Sequence, residues 1–256
     1  HDWDLIGVCG RSCLVDGKEN QMVEADELVQ QYEREGVARV KLGFTDIDGV
    51  LRGKYISLDK FRGIAAGTSG FCDCVLGWDV DDQLYDNTTF TGWHTAFPDA
   101  ISRIDLTTER RLVDEDNIPF FLLEFVGEKG AAHPICPRTR LKQVLAMAED
   151  VGYQPRLAFE YEFFIFRETA QSARDKNYQN LIPLSPGNFG YSVLRTMTLS
   201  DLFNEFMEYC AVHDFPLEGL HCETGPGVWE AAITVDDALA AADKAVLFKT
   251  FSKAFF

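Results

Sequence analysis

The sequence predicts an α+β fold built from two domains that meet near residue 128. Two patterns support this prediction. Segment 37–56 alternates apolar and polar residues as half-buried strands do, whereas the run after Pro137 repeats its apolar residues at helical spacing. The segment EKGAAHPICP that precedes this helical run concentrates Gly and Pro, which is typical of a connection between domains. We therefore expect domains at 1–128 and 129–256.

The first domain is predicted to combine one helix with several strands. Residues 24–35 begin with acidic residues and end before Gly36, which suits a helix with a glycine C-cap. Asp48-Gly49 lies in the middle of 37–56 and is a strong β-hairpin signal. Short, interrupted aromatic runs occupy 70–105, and NIPFFLLEFV (117–126) is predicted to be a buried strand.

The second domain is predicted to alternate helices with strands. One helix follows Pro137 and ends at Gly152, and a second covers 200–213. The aromatic run RLAFEYEFFIF predicts a strand, and PLEGLHCE and VWEAAI predict two more, joined by the turn TGPG. Residues 168–190 are polar and rich in Gly and Pro, so we expect an exposed loop there.

Both ends of the chain predict a piece of a longer protein. The chain begins with His1 rather than Met. It stops at Phe256, within an apolar helix-like run that has no Gly, Pro or polar stop signal.

Charge and apolar runs argue against several classes of partner. The chain has 41 acidic and 24 basic residues and a formal net charge of −17, so we expect neither nucleic acid nor an anionic membrane surface as a partner. No apolar run approaches the roughly 20 residues that cross a bilayer, and no secretory signal pattern opens the sequence. A cytoplasmic location is the resulting expectation.

The seven cysteines fit a reducing compartment, because their number is odd and the chain is long enough to fold without disulfides. Cys9 with Cys13, or Cys72 with Cys74, would be candidate zinc ligands, but neither pair has the spacing of a zinc knuckle. Buried free thiols are the favoured interpretation.

Four glutamates carry the strongest functional signal. Glu160 and Glu162 are two residues apart on a predicted strand, so both side chains emerge from one face. An isolated pair of this kind would most simply be a solvent-facing strand edge. A hairpin around Gly-Pro-Gly would, however, place Glu223 opposite Glu230 on one sheet face, with Cβ atoms roughly 5 Å apart.

Such like-charged pairs between apolar strands call for a cation. All-oxygen ligation suits Mg²⁺ or Mn²⁺ better than Zn²⁺, and two such ions side by side serve phosphoryl transfer. The sequence has no GxxxxGK[ST] loop, no GxGxxG after a strand and no kinase motif. A nucleotide would therefore be held by metals and an open sheet.

Four segments together resemble the glutamine synthetase superfamily, especially its bacterial glutamine-synthetase-like and γ-glutamyl-amine ligase branch. They are FTDIDGVLRGKYI, DAISRIDLTTERRLVDEDNIPFFLLEF, FEYEFFIF and LEGLHCETGPGVWE. The resemblance implies an N-terminal β-grasp domain followed by part of a catalytic domain with an antiparallel sheet and helices. It also implies ring-shaped homo-oligomers with sites between neighbouring subunits.

The resemblance further implies roles for the four glutamates. Glu162, Glu223 and Glu230 match ligands of the metal that binds glutamate and positions ammonia. Glu160 matches a ligand of the second metal, which binds the ATP phosphates.

Three other residues match family positions near the substrates. Glu218 matches a nucleotide contact, and His221 matches a histidine near the reacting phosphate. Tyr191 aligns with a tyrosine on the nucleotide side, although a packed aromatic residue is an equal alternative.

The sequence also departs from the family pattern. The DGSS-type segment that binds ammonium from a neighbouring subunit is absent, and FCDCVLGWDVDD stands in its place, with Asp79, Asp81 or Asp82 as substitutes. Ammonia is thereby weakened as the acceptor relative to another amine. Further substrate, phosphate and metal contacts of the family would lie beyond Phe256.

Three functions are consistent with the sequence. The first is an ATP-dependent ligase that phosphorylates the γ-carboxylate of glutamate and transfers it to ammonia or an amine. The second is a catalytically inactive structural or regulatory protein of the same family, although retention of all four glutamates argues against it. The third, a metal-dependent hydrolase, fits the glutamates but not the rest of the sequence.

Overall fold

The computed structural model describes residues 12–256 of the chain. Within this range the chain divides into a first unit that ends at Arg140 and a second that runs from Leu141 to Phe256. The division falls inside a helix, Pro137–Asp150, which we name α3 below. Each unit is described separately.

The first unit is a five-stranded mixed sheet with two helices. Its elements in chain order are α1 (Ser12–Glu35), β1 (Arg39–Thr45), β2 (Leu51–Ser57), α2 (Leu58–Ile64), β3 (Ser69–Cys72), β4 (Asp99–Leu112) and β5 (Ile118–Phe125). The strand order is β2-β1-β5-β4-β3, in which β1 and β5 are parallel and the other neighbours are antiparallel.

The predicted hairpin is confirmed, and its turn is organised by one carboxylate. Oδ1 of Asp46 accepts hydrogen bonds from the backbone N–H groups of Asp48 and Val50, both at 2.9 Å. Gly49 adopts φ 73°, a left-handed conformation that glycine reaches without a Cβ penalty. These bonds join β1 to β2 through a five-residue connection, longer than the two-residue loop that Asp-Gly alone favours.

The core of this unit is aromatic. Tyr32 of α1, Phe61 of α2 and the β5 residue Phe121 are fully buried, and the rings of Phe61 and Phe121 stack at 5.2 Å. The helix predicted at 24–35 is confirmed and begins earlier, at Ser12. The segment with interrupted aromatic runs leads into β4, a 14-residue strand that begins at Asp99 and has a register shift between Asp105 and Arg110.

The second unit carries most of the predicted helices and strands. Its elements are the greater part of α3, then β6 (Arg156–Leu157), β7 (Glu160–Phe164), α4 (Ala170–Asp175), α5 (Val193–Thr198), α6 (Ser200–Val212), β8 (Leu217–Cys222), β9 (Val228–Ile233), β10 (Asp236–Asp237) and α7 (Ala238–Phe255). Three strands form an antiparallel sheet in the order β7-β9-β8.

One face of this sheet is apolar and packs on helices. Tyr161 of β7 stacks on Phe248 of α7 at 5.1 Å, and Trp229 of β9 stacks on Phe203 of α6 at 3.7 Å. Because side chains alternate along a strand, this packing directs Glu160, Glu162 and Glu230 to the opposite face.

The loop expected at 168–190 contains a helix, so that prediction is wrong in part. Thr169 caps α4 by accepting a hydrogen bond from the backbone N–H of Ser172 at 3.0 Å. Glu168 accepts hydrogen bonds from Lys176 Nζ, Ser172 Oγ and the backbone N–H of Ile182. These donors, Lys176 first, lower the pKa of Glu168 to about 2. The ionised side chain of Glu168 therefore links Lys176, just after α4, to the backbone of Ile182.

The Glu168→Gln variant should melt at a lower temperature than the parent protein at neutral pH. Because the folded-state pKa is depressed, the stabilisation is present above the unfolded pKa of about 4.3 and is lost as the pH falls towards about 2. The difference in melting temperature should therefore shrink steadily below about pH 5. A difference that stays constant over this range, measured by circular dichroism, would contradict the assignment.

The described cysteines are free thiols. Cys136, Cys210 and Cys222 are buried, as expected, whereas Cys72 and Cys74 are half-buried. Cys9 and the side chain of Cys13 lie outside the described residues. Among residues 12–256, no helix combines the length and the apolar character needed to cross a membrane.

Candidate metal centre

The central strand β9 brings two predicted site residues to either side of Glu230. Glu162 on β7 lies directly opposite Glu230, and His221 on β8 lies directly opposite it on the other side. Residues in register on neighbouring strands have Cβ atoms about 4.5–5.5 Å apart and share a face. The sheet register therefore places two carboxylates and an imidazole in one row across three strands.

The expectation that Glu223 faces Glu230 directly is wrong by two residues. The backbone N–H of Glu223 instead donates to the carbonyl of Val228 at 3.0 Å, so the turn spans 224–227. A two-residue difference preserves the face, since side chains alternate with period two. Glu223 therefore stays on the face of Glu230 as its diagonal neighbour, and His221 takes the facing position.

His221, Glu223 and Glu230 form the tightest group of candidate ligands among the described residues. One ligand atom from each lies within 4.8 Å of the other two. Nε2 of His221 is 3.3 Å from Oε2 of Glu230 and 3.5 Å from Oε1 of Glu223. That nitrogen is buried, and neither carboxylate oxygen meets it in good hydrogen-bonding geometry. A buried polar atom without a well-formed hydrogen bond is costly, which suits a position completed by a cation or a substrate atom.

Tyr191 covers the imidazole of His221. The two rings stack at 4.3 Å with an interplanar angle of 12°. The backbone N–H of Tyr191 donates to the carbonyl of Cys222 at 2.7 Å, and the residue adopts φ 57°. A left-handed conformation is uncommon for a tyrosine, so the ring's position depends on this hydrogen bond and on the stack.

The electrostatics of the site are negative. The charge of Glu223, with a further contribution from the charge of Glu230, raises the pKa of Tyr191, which keeps its phenol protonated. The backbone N–H of Thr224, which donates to Glu223 Oε2 at 2.6 Å, lowers the pKa of Glu223. Glu223 is therefore held ionised and oriented by its own turn.

The remaining predicted glutamates lie outside the tightest group. Glu160 is on the same face of β7 as Glu162, opposite Ala232, and both glutamate side chains are exposed. Glu218 is exposed at a bulge in β8, between the pairs that Leu217 and Gly219 make with β9.

The three aspartates of the loop after residue 78 differ in the hydrogen bonds and ion pairs that their carboxylates make. Asp82 pairs with Arg52, which also binds Asp46. Oδ1 of Asp79 accepts hydrogen bonds from the backbone N–H groups of Asp81 and Gln83, both at 2.9 Å. Within the described part of this loop, the exposed carboxylate of Asp81 makes no hydrogen bond or ion pair. The sequence pattern did not single out Arg52, and its place just after the turn of the hairpin, on β2, was the one available signal.

The donor set fits a hard divalent cation. Carboxylate oxygens dominate it, and one imidazole nitrogen is added by the facing strand. Fold and site together define an α+β protein with a carboxylate-rich group of candidate cation ligands on an antiparallel sheet.

Comparison with known proteins gives the family. Residues 134–255 match the model of the glutamine synthetase catalytic domain. The chain belongs to the glutamine synthetase superfamily.

Three relatives illustrate the similarity. The chain is 43% identical over 237 residues to type-1 glutamine synthetase 2 of Dictyostelium discoideum, which covers 92% of this chain and 45% of the relative. It is 32% identical to the glutamate–isopropylamine ligase of a Pseudomonas species, a match that covers 85% of this chain and 48% of the relative. It is 31% identical to a γ-glutamylethanolamide synthetase of Streptomyces coelicolor, a match that covers 84% of this chain and 46% of the relative. The chain thus spans about half the length of the curated relatives it matches.

Solved structures share the fold. The chain matches GmaS in complex with ADP with a TM-score of 0.69 at 21% identity, covering 89% of this chain and 48% of that one. It matches glutamine synthetase of Plasmodium falciparum with a TM-score of 0.66 at 17% identity, covering 90% and 48%.

Proposed function

We propose that the protein is an ATP-dependent carboxylate–amine ligase that phosphorylates the γ-carboxylate of glutamate and transfers the acyl group to ammonia or an amine. The single observation that supports it most is the row of Glu162, Glu230 and His221 across one sheet face, with Glu223 beside it. Like charges that face each other destabilise a sheet unless a cation lies between them. Family membership supports ligation over hydrolysis.

The chain's own residues would hold Mg²⁺ or Mn²⁺, with Glu162, Glu223 and Glu230 at one ion and Glu160 at a second. When bound, such ions supply positive charge at the transferring phosphoryl oxygens. Glu223 enters this site ionised, because the Thr224 N–H orients its carboxylate.

His221 and Tyr191 would position the reacting groups. The buried Nε2 of His221 makes no well-formed hydrogen bond and so suits a contact with a ligand atom. The stacked ring of Tyr191 limits how the imidazole can rotate. Together they would order the phosphate side of the site, and Glu218 at the exposed bulge would contact the nucleotide.

The acceptor is proposed to be ammonia or a small amine. The relatives include proteins named as γ-glutamyl ligases or synthetases for isopropylamine, ethanolamine, aniline and polyamines, as well as glutamine synthetases. Asp81 is the favoured carboxylate for the amine, since Asp82 is neutralised by Arg52 and Asp79 caps its own loop.

The domain assignment is part of the same proposal. Residues 1–128 would be a β-grasp domain, and 129–256 would be the first part of the catalytic domain. The parallel pairing of β1 and β5 at the centre of a mixed sheet supports the first assignment. Ring-shaped homo-oligomers would complete the sites.

Phosphate release from ATP by the full-length protein tests the function. With Mg²⁺ or Mn²⁺, release should depend on glutamate and on one member of a panel of ammonium, isopropylamine, ethanolamine, aniline and putrescine. Asp81→Asn should raise the KM for the amine by about 10-fold or more and leave the KM for ATP unchanged. Folded protein that binds Mn²⁺ but turns over with no amine would instead support the inactive alternative.

A further inference from the structure

The junction between β3 and the 3₁₀ helix Asp73–Gly77 holds two thiols in contact. The Sγ atoms of Cys72 and Cys74 are 3.1 Å apart. A disulfide bond measures about 2.04 Å, so closing the bond would need a movement of about 1 Å. Both side chains are half-buried, which leaves them within reach of small molecules.

The residue between the cysteines fixes this arrangement. Asp73 is buried, and its Oδ1 accepts a hydrogen bond from Thr91 Oγ1 at 2.7 Å. Its backbone N–H donates to the carbonyl of Pro98 at 3.1 Å. Because Asp73 is anchored on both its side chain and its backbone, the flanking thiols are kept on the same side of the chain.

We propose that Cys72 and Cys74 form a reversible intramolecular disulfide, which makes this segment a thiol–disulfide exchange site for small disulfides such as oxidised glutathione. The proposal concerns the first unit alone and does not depend on the ligase function. The other described cysteines are buried and have no thiol partner at contact distance among the described residues.

Exchange proceeds in two balanced steps. The Cys72 thiolate attacks one sulfur of oxidised glutathione, forms a mixed disulfide and releases glutathione thiolate, which takes up the proton that Cys72 lost. Cys74 then attacks Sγ of Cys72, releases the second glutathione and passes its proton to it. The sum converts two protein thiols and one glutathione disulfide into one protein disulfide and two glutathione thiols.

The order of attack follows from the environment of the two thiols. Burial, followed by the hydrogen bond with Cys72, raises the pKa of Cys74 to about 12. Cys74 therefore keeps its proton while Cys72 reacts, and it acts as the resolving thiol.

Thiol trapping after equilibration in glutathione buffers tests the proposal. The native chain and the same chain in urea are quenched with acid, alkylated and analysed by mass spectrometry of the peptide that contains both cysteines. The bridge should be favoured about 10-fold or more in the native chain, because the fold presents the two thiols to each other at contact distance. Equal bridging in native and unfolded chains would overturn the proposal.

Two serine variants test the roles separately. Cys74→Ser should accumulate a stable glutathione adduct on Cys72, and Cys72→Ser should acquire little adduct on Cys74. Cys136 serves as the internal control, since it is buried and should stay unmodified in the native chain. Equal adduct formation in both variants, with circular dichroism showing intact folds, would also overturn the proposal.

Discussion

The Glu230→Gln variant is expected to bind Mn²⁺ on the order of 100-fold more weakly than the parent chain, because it removes a carboxylate at the centre of the site. Glu230 is the one residue of the row that faces both Glu162 and His221. Replacing its carboxylate by an amide keeps the shape of the side chain and removes the charge. Isothermal titration of the 256-residue chain with Mn²⁺, without nucleotide, measures the effect.

The same variant should not lose stability in the absence of metal. Removing one of two facing carboxylates relieves repulsion worth up to about 1 kcal/mol. At a Mn²⁺ concentration 100 times the parent's dissociation constant, the parent would gain about 2.7 kcal/mol and the variant about 0.4 kcal/mol. Thermal melts with and without Mn²⁺ therefore separate a lost ligand from a damaged fold.

The matched control is Glu205→Gln, an exposed glutamate on α6 outside the site. It should bind Mn²⁺ like the parent chain. Unchanged affinity in Glu230→Gln, or an equal loss in both variants, would refute a metal site on β9.

The Gly227→Ala variant is expected to destabilise the second unit by about 2–5 kcal/mol. Gly227 adopts φ 73°, which costs an alanine about 1–2 kcal/mol. An added Cβ would also lie 2.7 Å from the carbonyl oxygen of Ile165 and 3.0 Å from Cβ of Pro183. Neither neighbour is the end of a flexible side chain, so the turn or the end of β7 must shift.

A control variant separates the steric contribution to the destabilisation from the conformational contribution. Gly152, after α3, has φ 86° and no atom within 4 Å of an added Cβ. Gly152→Ala should therefore cost only the conformational part, about 1–2 kcal/mol. Gly227→Ala should lower the melting temperature by on the order of 10 °C or more, and a drop no larger than that of Gly152→Ala would contradict the predicted clash.

Gly152 and Gly227 show which structural features the local sequence pattern predicts and which it does not. Gly152 was predicted as a helix end from local pattern alone, and α3 does end before it. The turn TGPG at 224–227 was also predicted from local pattern, whereas the close approach of Gly227 to Ile165 and Pro183 is a long-range contact that this pattern does not show. Long-range packing selects among turns that the local sequence permits.

For the candidate site glutamates, too, the local pattern predicted the sheet face but not the facing residue. Strand alternation in the sequence was enough to place Glu160 with Glu162 on one face, since period two is a property of any strand. It also kept Glu223 and Glu230 on a common face despite the error in register. Strand alternation could not show which residue faces Glu230 on β8. His221 occupies the position that was expected for Glu223.

The sequence by itself determined the α+β class, the existence of most helices and strands, and the residue types that would suit a cation site. It did so because periodicity and turn residues act over a few neighbouring positions. Only the tertiary structure decided which residues meet: His221 with Glu223 and Glu230, Tyr191 over His221, and Asp82 with Arg52. Those meetings depend on strand register and packing between segments distant in sequence, which local patterns do not encode.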